Sequence, residues 1–66
     1  MKILVNGQWQ QQTEGVTLAG LLECLSLEPR RVAVELNKRI VPRARYAQTP
    51  LADNDQLEIV TLVGGG

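Results

Sequence analysis

Only one stretch of the chain carries a helical period, and it is short. Leu18, Leu21, Leu22 and Leu25 fall at i, i+3, i+4 and i+7. Thr17 stands before them as an N-cap, and Pro29 closes the segment soon after Leu27. The spacing predicts one amphipathic helix of about three turns. The other apolar residues sit in strand-like runs. One helix can cover one face of one sheet, so the chain is expected to be an α+β domain. Its 66 residues leave room for a single small core.

The strand signals surround that helix. Lys2-Ile3-Leu4-Val5 is a short apolar strand, and Asn6-Gly7 is a strong hairpin signal, because a type I′ turn needs positive φ at both central residues. Gln8 to Gln12 continues as a polar strand anchored by Trp9, and Gly15 breaks it. After the helix, Val32 to Leu36 forms a third strand, Asn37-Lys38 turns, and Arg39-Ile40-Val41 returns. Pro42 stops that return strand and suits a sheet edge, where its missing N–H goes unneeded. Arg43 to Pro50 reads as irregular, with Tyr46 as an apolar plug. Asp53-Asn54-Asp55 is a turn with Asn54 in the left-handed region, and Gln56 to Val63 is the last and longest strand. A hairpin, a crossover helix and later strands let the last strand return parallel to the first. That is a β-grasp, or ubiquitin-like, architecture: one mixed sheet of four to five strands with one main helix on one face. The domain is expected over residues 1–63, with 64–66 as a flexible glycine tail.

Composition removes much chemistry. There is no His, hence no His general base, no Ser-His-Asp triad and no imidazole metal site. The single cysteine, Cys24, excludes an internal disulfide and a Cys-rich zinc site, and it fits a reducing, cytoplasmic setting. It lies on the flank of the apolar stripe with no base to activate it. No apolar run approaches the roughly 18 residues of a membrane span. Seven basic and seven acidic residues give a net charge of zero. Arg30, Arg31, Lys38, Arg39, Arg43 and Arg45 nevertheless share one central stretch, opposed there by Glu35 alone. That stretch is expected to be a solvated, basic face. Trp9 and Tyr46 are too few aromatics for a base-stacking platform, so neither nucleic acid nor membrane is an expected partner.

No constellation inside the domain reads as catalytic or metal-binding. Asp53 and Asp55 are explained by their turn. The unusual feature is Gly64-Gly65-Gly66 directly after an apolar strand. Three glycines are entropically poor at ending a strand and contribute nothing to packing. Extended, they project a carboxylate on the order of 10 Å beyond the sheet. Without Cβ atoms they can thread a narrow channel, making Gly66 a handle for a partner enzyme. On the last strand, Leu57 and Ile59 are assigned to the core because the other face carries Glu58. Val60 and Leu62, on that other face, are then expected to form an exposed docking patch beside the tail. Arg39, Arg43 and Arg45 are expected to steer an acidic partner.

These residues carry a family resemblance over essentially the whole chain. The opening strand with Asn6-Gly7, the motif Thr17-Leu18 with Leu21-Leu22, the run Val32-Ala33-Val34-Glu35-Leu36-Asn37, Ile40-Val41-Pro42-Arg43, Asp53-Asn54-Asp55-Gln56-Leu57 and Gly65-Gly66 stand in the order and spacing of one family. The sequence resembles the ThiS family of ubiquitin-like sulfur carriers of thiamine (thiazole) biosynthesis. Asn54 stands where that family often has Gly, Tyr46 lies near an expected Trp, and Gly64 precedes the usual glycine pair. The resemblance implies that an E1-like adenylating enzyme, using ATP and Mg²⁺, activates Gly66. Sulfur from a cysteine desulfurase or rhodanese-type donor then makes a thiocarboxylate, and thiazole synthase consumes it. Gly64 and Gly65 would thread the partner's active site. The chain itself would be a carrier and not an enzyme, would bind no cofactor of its own, and would be a monomer when free. Related readings are the small subunit of molybdopterin synthase, a carrier for tRNA thiolation and a protein-conjugating modifier. A reading of another class is a protein-binding module with an inert tail.

Overall fold

Asn6 and Gly7 both take positive φ, 50° and 83°, and the chain reverses over them. This joins β1 (Lys2–Val5) to β2 (Gln8–Gln11) as an antiparallel hairpin with Leu4 opposite Trp9. The computed structural model describes residues 1–62. Asn37 and Lys38 repeat the turn, with φ of 51° and 71°, between β3 (Val32–Leu36) and the two-residue β4 (Arg39–Ile40). The last strand, β5 (Gln56–Thr61), runs between the two hairpins. It is parallel to β1, with Leu4 opposite Gln56 and Val5 opposite Leu57. It is antiparallel to β3, from Val32 opposite Thr61 to Leu36 opposite Leu57. The sheet therefore has five strands in the order β2-β1-β5-β3-β4. This is the expected mixed β-grasp sheet, with β4 at an edge before Pro42.

The helix α1 covers Leu18–Cys24, with Thr17 Oγ1 accepting from the Gly20 N–H at 3.1 Å. It is two turns long, shorter than expected, because it stops before Pro29 is reached. Ser26 takes the left-handed conformation, φ 58°. The Leu27 N–H then reaches the Leu22 carbonyl at 2.9 Å and the Ser26 N–H the Glu23 carbonyl at 3.0 Å. That reversal is a Schellman stop built on Ser where Gly is usual. Leu25 is consequently only half-buried, while Leu18, Leu21 and Leu22 are fully buried against the sheet.

Alternation along the strands sends Ile3, Val5, Val32, Val34, Leu57 and Ile59 to the helix side, where they form the core with α1, Tyr46 and Leu51. Trp9 lies on the opposite, open face and is 55% exposed. It does not anchor the core, because its partner Leu4 also faces away from the helix. The Lys2 ammonium sits over its ring, 4.8 Å from the centroid. The segment read as irregular contains a 3-10 turn, Arg43–Gln48, which carries Tyr46 into the core. Leu18 N–H to Thr49 O, at 2.8 Å, and Leu51 N–H to Val16 O, at 2.9 Å, tie its far end to the start of α1.

Candidate functional site

Of the residues flagged for function, Val60 and Leu62 lie where the chain leaves β5. Hydrogen-bonded pairing with β3 ends at Thr61, opposite Val32. One further bond follows, from the Leu62 N–H to the Arg31 carbonyl at 2.7 Å. The strand was expected to run to Val63; it ends at Thr61, and Val63 lies outside the described residues. Gly64, Gly65 and Gly66, including the expected flexible tail, lie outside them too. The geometry of the site is therefore that of its root.

On the open face at this root, Val60 is 57% exposed and Leu62 is 52% exposed. Both positions follow from the pleat, since Leu57 and Ile59 face the helix and are buried. Ala33, opposite Val60, adds a small exposed side chain to the same face. Ile40, 77% exposed on β4, lies opposite Glu35, and Glu35 in turn lies opposite Glu58. The open face thus passes from apolar near the exit to acidic farther back along the same ladder. Exposed apolar side chains beside charged ones are the ordinary composition of a protein-docking surface.

The exit strand is clamped on both sides. Asn6 lies just past the end of β1, where the backbone turns away towards β2. Its Oδ1 accepts from the Ile59 N–H at 2.7 Å, and its Nδ2 donates to the Ile59 carbonyl at 3.1 Å. The amide thereby takes the place of one more strand residue beside β5. Nothing in the local sequence signals this role, because Asn6 reads as a turn residue alone.

The three arginines expected to steer a partner are not gathered in one place. Arg39 pairs with Leu36, at the β3 end remote from the exit. Arg43 and Arg45 lie on the 3-10 turn that carries Tyr46. The Tyr46 hydroxyl donates to the Val32 carbonyl at 3.4 Å, at the exit end of β3. Burial pushes that hydroxyl's pKa above its ordinary value, and the Arg43 guanidinium pulls against the shift. Arg30 and Arg31, which sequence reasoning did not single out as site residues, occupy the 3-10 turn leading into Val32. Only the strand register, which a linear reading does not contain, puts them beside Thr61 and Leu62 at the exit of β5.

The acidic residues of the Asp53-Asn54-Asp55 turn are structural. Asp53 Oδ1 accepts from the Lys2 N–H at 2.8 Å, and Asp55 accepts from Ala52 N–H at 2.7 Å and Asn37 Nδ2 at 3.0 Å. Asn54 has φ 71°, the left-handed conformation expected of it. Among the described residues, no group of three or more His, Cys, Asp or Glu side chains is placed to hold a metal ion. Cys24 is exposed on α1. No helix among them is long and apolar enough to cross a membrane.

Comparison with known proteins bears on the whole of this architecture. The ThiS family matches residues 3–66. A thiazole synthase of Paramagnetospirillum magneticum is 44% identical over 66 residues, which is 100% of this chain and 20% of that protein, so the chain spans about a fifth of that relative. The sulfur carrier protein ThiS of Escherichia coli is 38% identical over 66 residues, covering 100% of both chains. The crystal structure of the thiamine biosynthesis protein ThiS from Geobacter metallireducens superposes with a TM-score of 0.86 at 30% identity, over 100% of each chain. With the fold, the strand order and nearly every residue accounted for by that match, the chain belongs to the ThiS family.

Proposed function

We propose that the chain is the sulfur carrier of thiazole formation in thiamine biosynthesis. The observation that carries this reading is the family match, which runs through the glycines to Gly66. The relative named thiazole synthase, in which a segment like this chain makes up 20% of a longer protein, supports thiazole synthase as the consumer of the sulfur. In the proposed cycle a Gly66 carboxylate oxygen attacks the α-phosphorus of Mg·ATP on an E1-like enzyme, and pyrophosphate leaves. The outer sulfur of a persulfide on a desulfurase or rhodanese-type donor then attacks the acyl carbon and displaces AMP. A thiol cleaves the acyl disulfide so formed, leaving the thiocarboxylate on Gly66 and the donor sulfur in a disulfide with that thiol. The resulting thiocarboxylate is a soft anion held on a protein, so free sulfide is avoided. Val60 and Leu62 provide the apolar contact beside the root of the tail, and Gly64 and Gly65 supply a tail without side chains.

Mass spectrometry of the chain, co-expressed with its partner enzymes, tests the reading. An oxygen-to-sulfur mass increase on the C-terminal peptide is expected. Its absence, with active partners present, would remove the carrier reading in favour of a binding module. Deleting Gly66 shortens the handle by about 3.3–3.6 Å, and Gly65→Val widens it with a stiff side chain. Reacting atoms must approach within roughly 3–3.5 Å, so both variants are expected to lose ATP–pyrophosphate exchange while keeping the wild-type melting temperature. Exchange at the wild-type rate in either variant would show that the tail is not read by length and shape.

A further inference from the structure

The register of β3 on β5 places a second feature at the root of the tail. Val32 lies opposite Thr61, and the Arg31 carbonyl holds the Leu62 N–H at 2.7 Å. The short turn Pro29–Arg31 therefore carries two exposed arginines to the point where the chain leaves the sheet. Arg43 lies on the turn that carries Tyr46, whose hydroxyl reaches the Val32 carbonyl at 3.4 Å, and its guanidinium acts on that hydroxyl. Glu28, just before the first turn, is the acid of that segment. The acids of the open face, Glu35 and Glu58, are paired three residues farther along the ladder, about 10 Å from the Val32–Thr61 pair. Along the exit strand, Arg30 and Arg31 thus stand at the root and the Glu35–Glu58 pair behind it, with Lys38 and Arg39 at the hairpin beyond that pair.

We propose that Arg30, Arg31 and Arg43 form a cationic collar around the root of the glycine tail, and that the collar seats on an acidic rim at the mouth of the channel through which the adenylating partner receives the tail. This rests on the carrier reading above and specifies the surface it needs. Length decides what the collar meets. In the carrier reading the reacting carboxylate is that of Gly66, four residues beyond Leu62, and a fully extended stretch of four spans roughly 13–14 Å. An arginine side chain reaches only about 7 Å from its Cα on the same bond lengths. With the tail threaded, the collar stays outside the site where the carboxylate meets the nucleotide, so its counter-charge is protein and not ATP phosphate. Opposite charges facing each other around a channel mouth orient the encounter and accelerate it before any apolar contact forms.

The test uses the full chain and the E1-like adenylating enzyme, with association rates measured at low and high salt. The wild-type rate should fall as salt rises. The Arg30→Glu/Arg31→Glu double variant should associate about tenfold more slowly at low salt and lose most of the salt dependence. Arg30→Lys/Arg31→Lys, which keeps the charge, should associate like wild type, as should Arg39→Glu at the remote end of β3. Wild-type association by the Glu double variant, or equal slowing by Arg39→Glu, would overturn the collar. Pyrophosphate exchange separates the two proposals. An activated wild type with an unaffected Glu double variant overturns the collar alone, whereas a wild type that is never activated overturns the carrier reading and the collar with it.

Discussion

The molecule contains the same turn twice. Asn6-Gly7 and Asn37-Lys38 each place two residues at positive φ between antiparallel strands. In both, the asparagine turns its amide onto β5. Asn6 brackets the N–H and carbonyl of Ile59, near the exit. Asn37 accepts from the Gln56 N–H at 3.0 Å and donates to Asp55 at 3.0 Å, at the strand's start. The two hairpins thus hold opposite ends of one strand with the same device. They differ in two respects. Asn6 works on partly buried groups, while the Asn37 bonds are exposed. Gly7 occupies the left-handed position that Lys38 fills with a side chain. Burial decides how much a turn asparagine contributes to the sheet, and the second turn residue decides how much strain the hairpin keeps.

The largest effect is expected from Asn6→Ala. The substitution leaves both Ile59 backbone groups without a protein partner and puts Ala at φ 50°. Each orphaned group costs about 1–3 kcal/mol, less where water reaches it, and the left-handed backbone adds about 1 kcal/mol. A total of about 3 kcal/mol is expected, a large share of the few kcal/mol available to a domain of this size. Urea denaturation with an unchanged m-value would measure it. Asn6→Gly separates the terms, because Gly accepts the backbone and removes only the clamp. It should lose about 1–2 kcal/mol. Wild-type stability in Asn6→Gly would mean that the clamp contributes nothing.

The matching change at the other hairpin should be milder. Asn37→Gly removes exposed bonds whose groups pass directly to water, so about 1 kcal/mol is expected. The order Asn6→Gly above Asn37→Gly is the sharper measurement. Equal losses at the two positions would break the explanation from burial and leave the shared hydrogen-bond pattern as the whole account.

The comparison also shows what a linear reading could reach. The turns were legible because Asn-Gly and Asn-Lys fall between strand-like runs, and the β5 faces were legible because Glu58 marks the open side. Membership of the ThiS family was legible in the order of short motifs, each of them weak alone. Three features were not legible, each for a physical reason. The clamps depend on which strand lies beside each asparagine, which is a tertiary fact. The helix ends early because Ser26 accepts φ 58°, a conformation normally signalled by Gly. Arg30 and Arg31 lie at the exit of β5 because Val32 registers with Thr61, while the arginines singled out from the sequence are scattered over two elements.

The smallest effect concerns the second turn position, where the hairpins differ by a side chain. Lys38 holds φ 71° without the freedom Gly7 has at φ 83°. A left-handed L-residue costs about 1–2 kcal/mol, so Lys38→Gly releases that strain. Glycine also loses more backbone entropy on folding, which returns about 0.4–1 kcal/mol in the opposite direction. The difference leaves a net gain of about 0.5 kcal/mol, which in a domain of this length raises the melting temperature by roughly 2–4 °C. The reciprocal Gly7→Lys should lower it by a similar or slightly larger amount. Calorimetry on both variants checks the pair together, since the two shifts must have opposite signs. If Lys38→Gly melts lower than wild type, its side chain contributes more than its backbone loses, and the second hairpin is not simply a strained copy of the first.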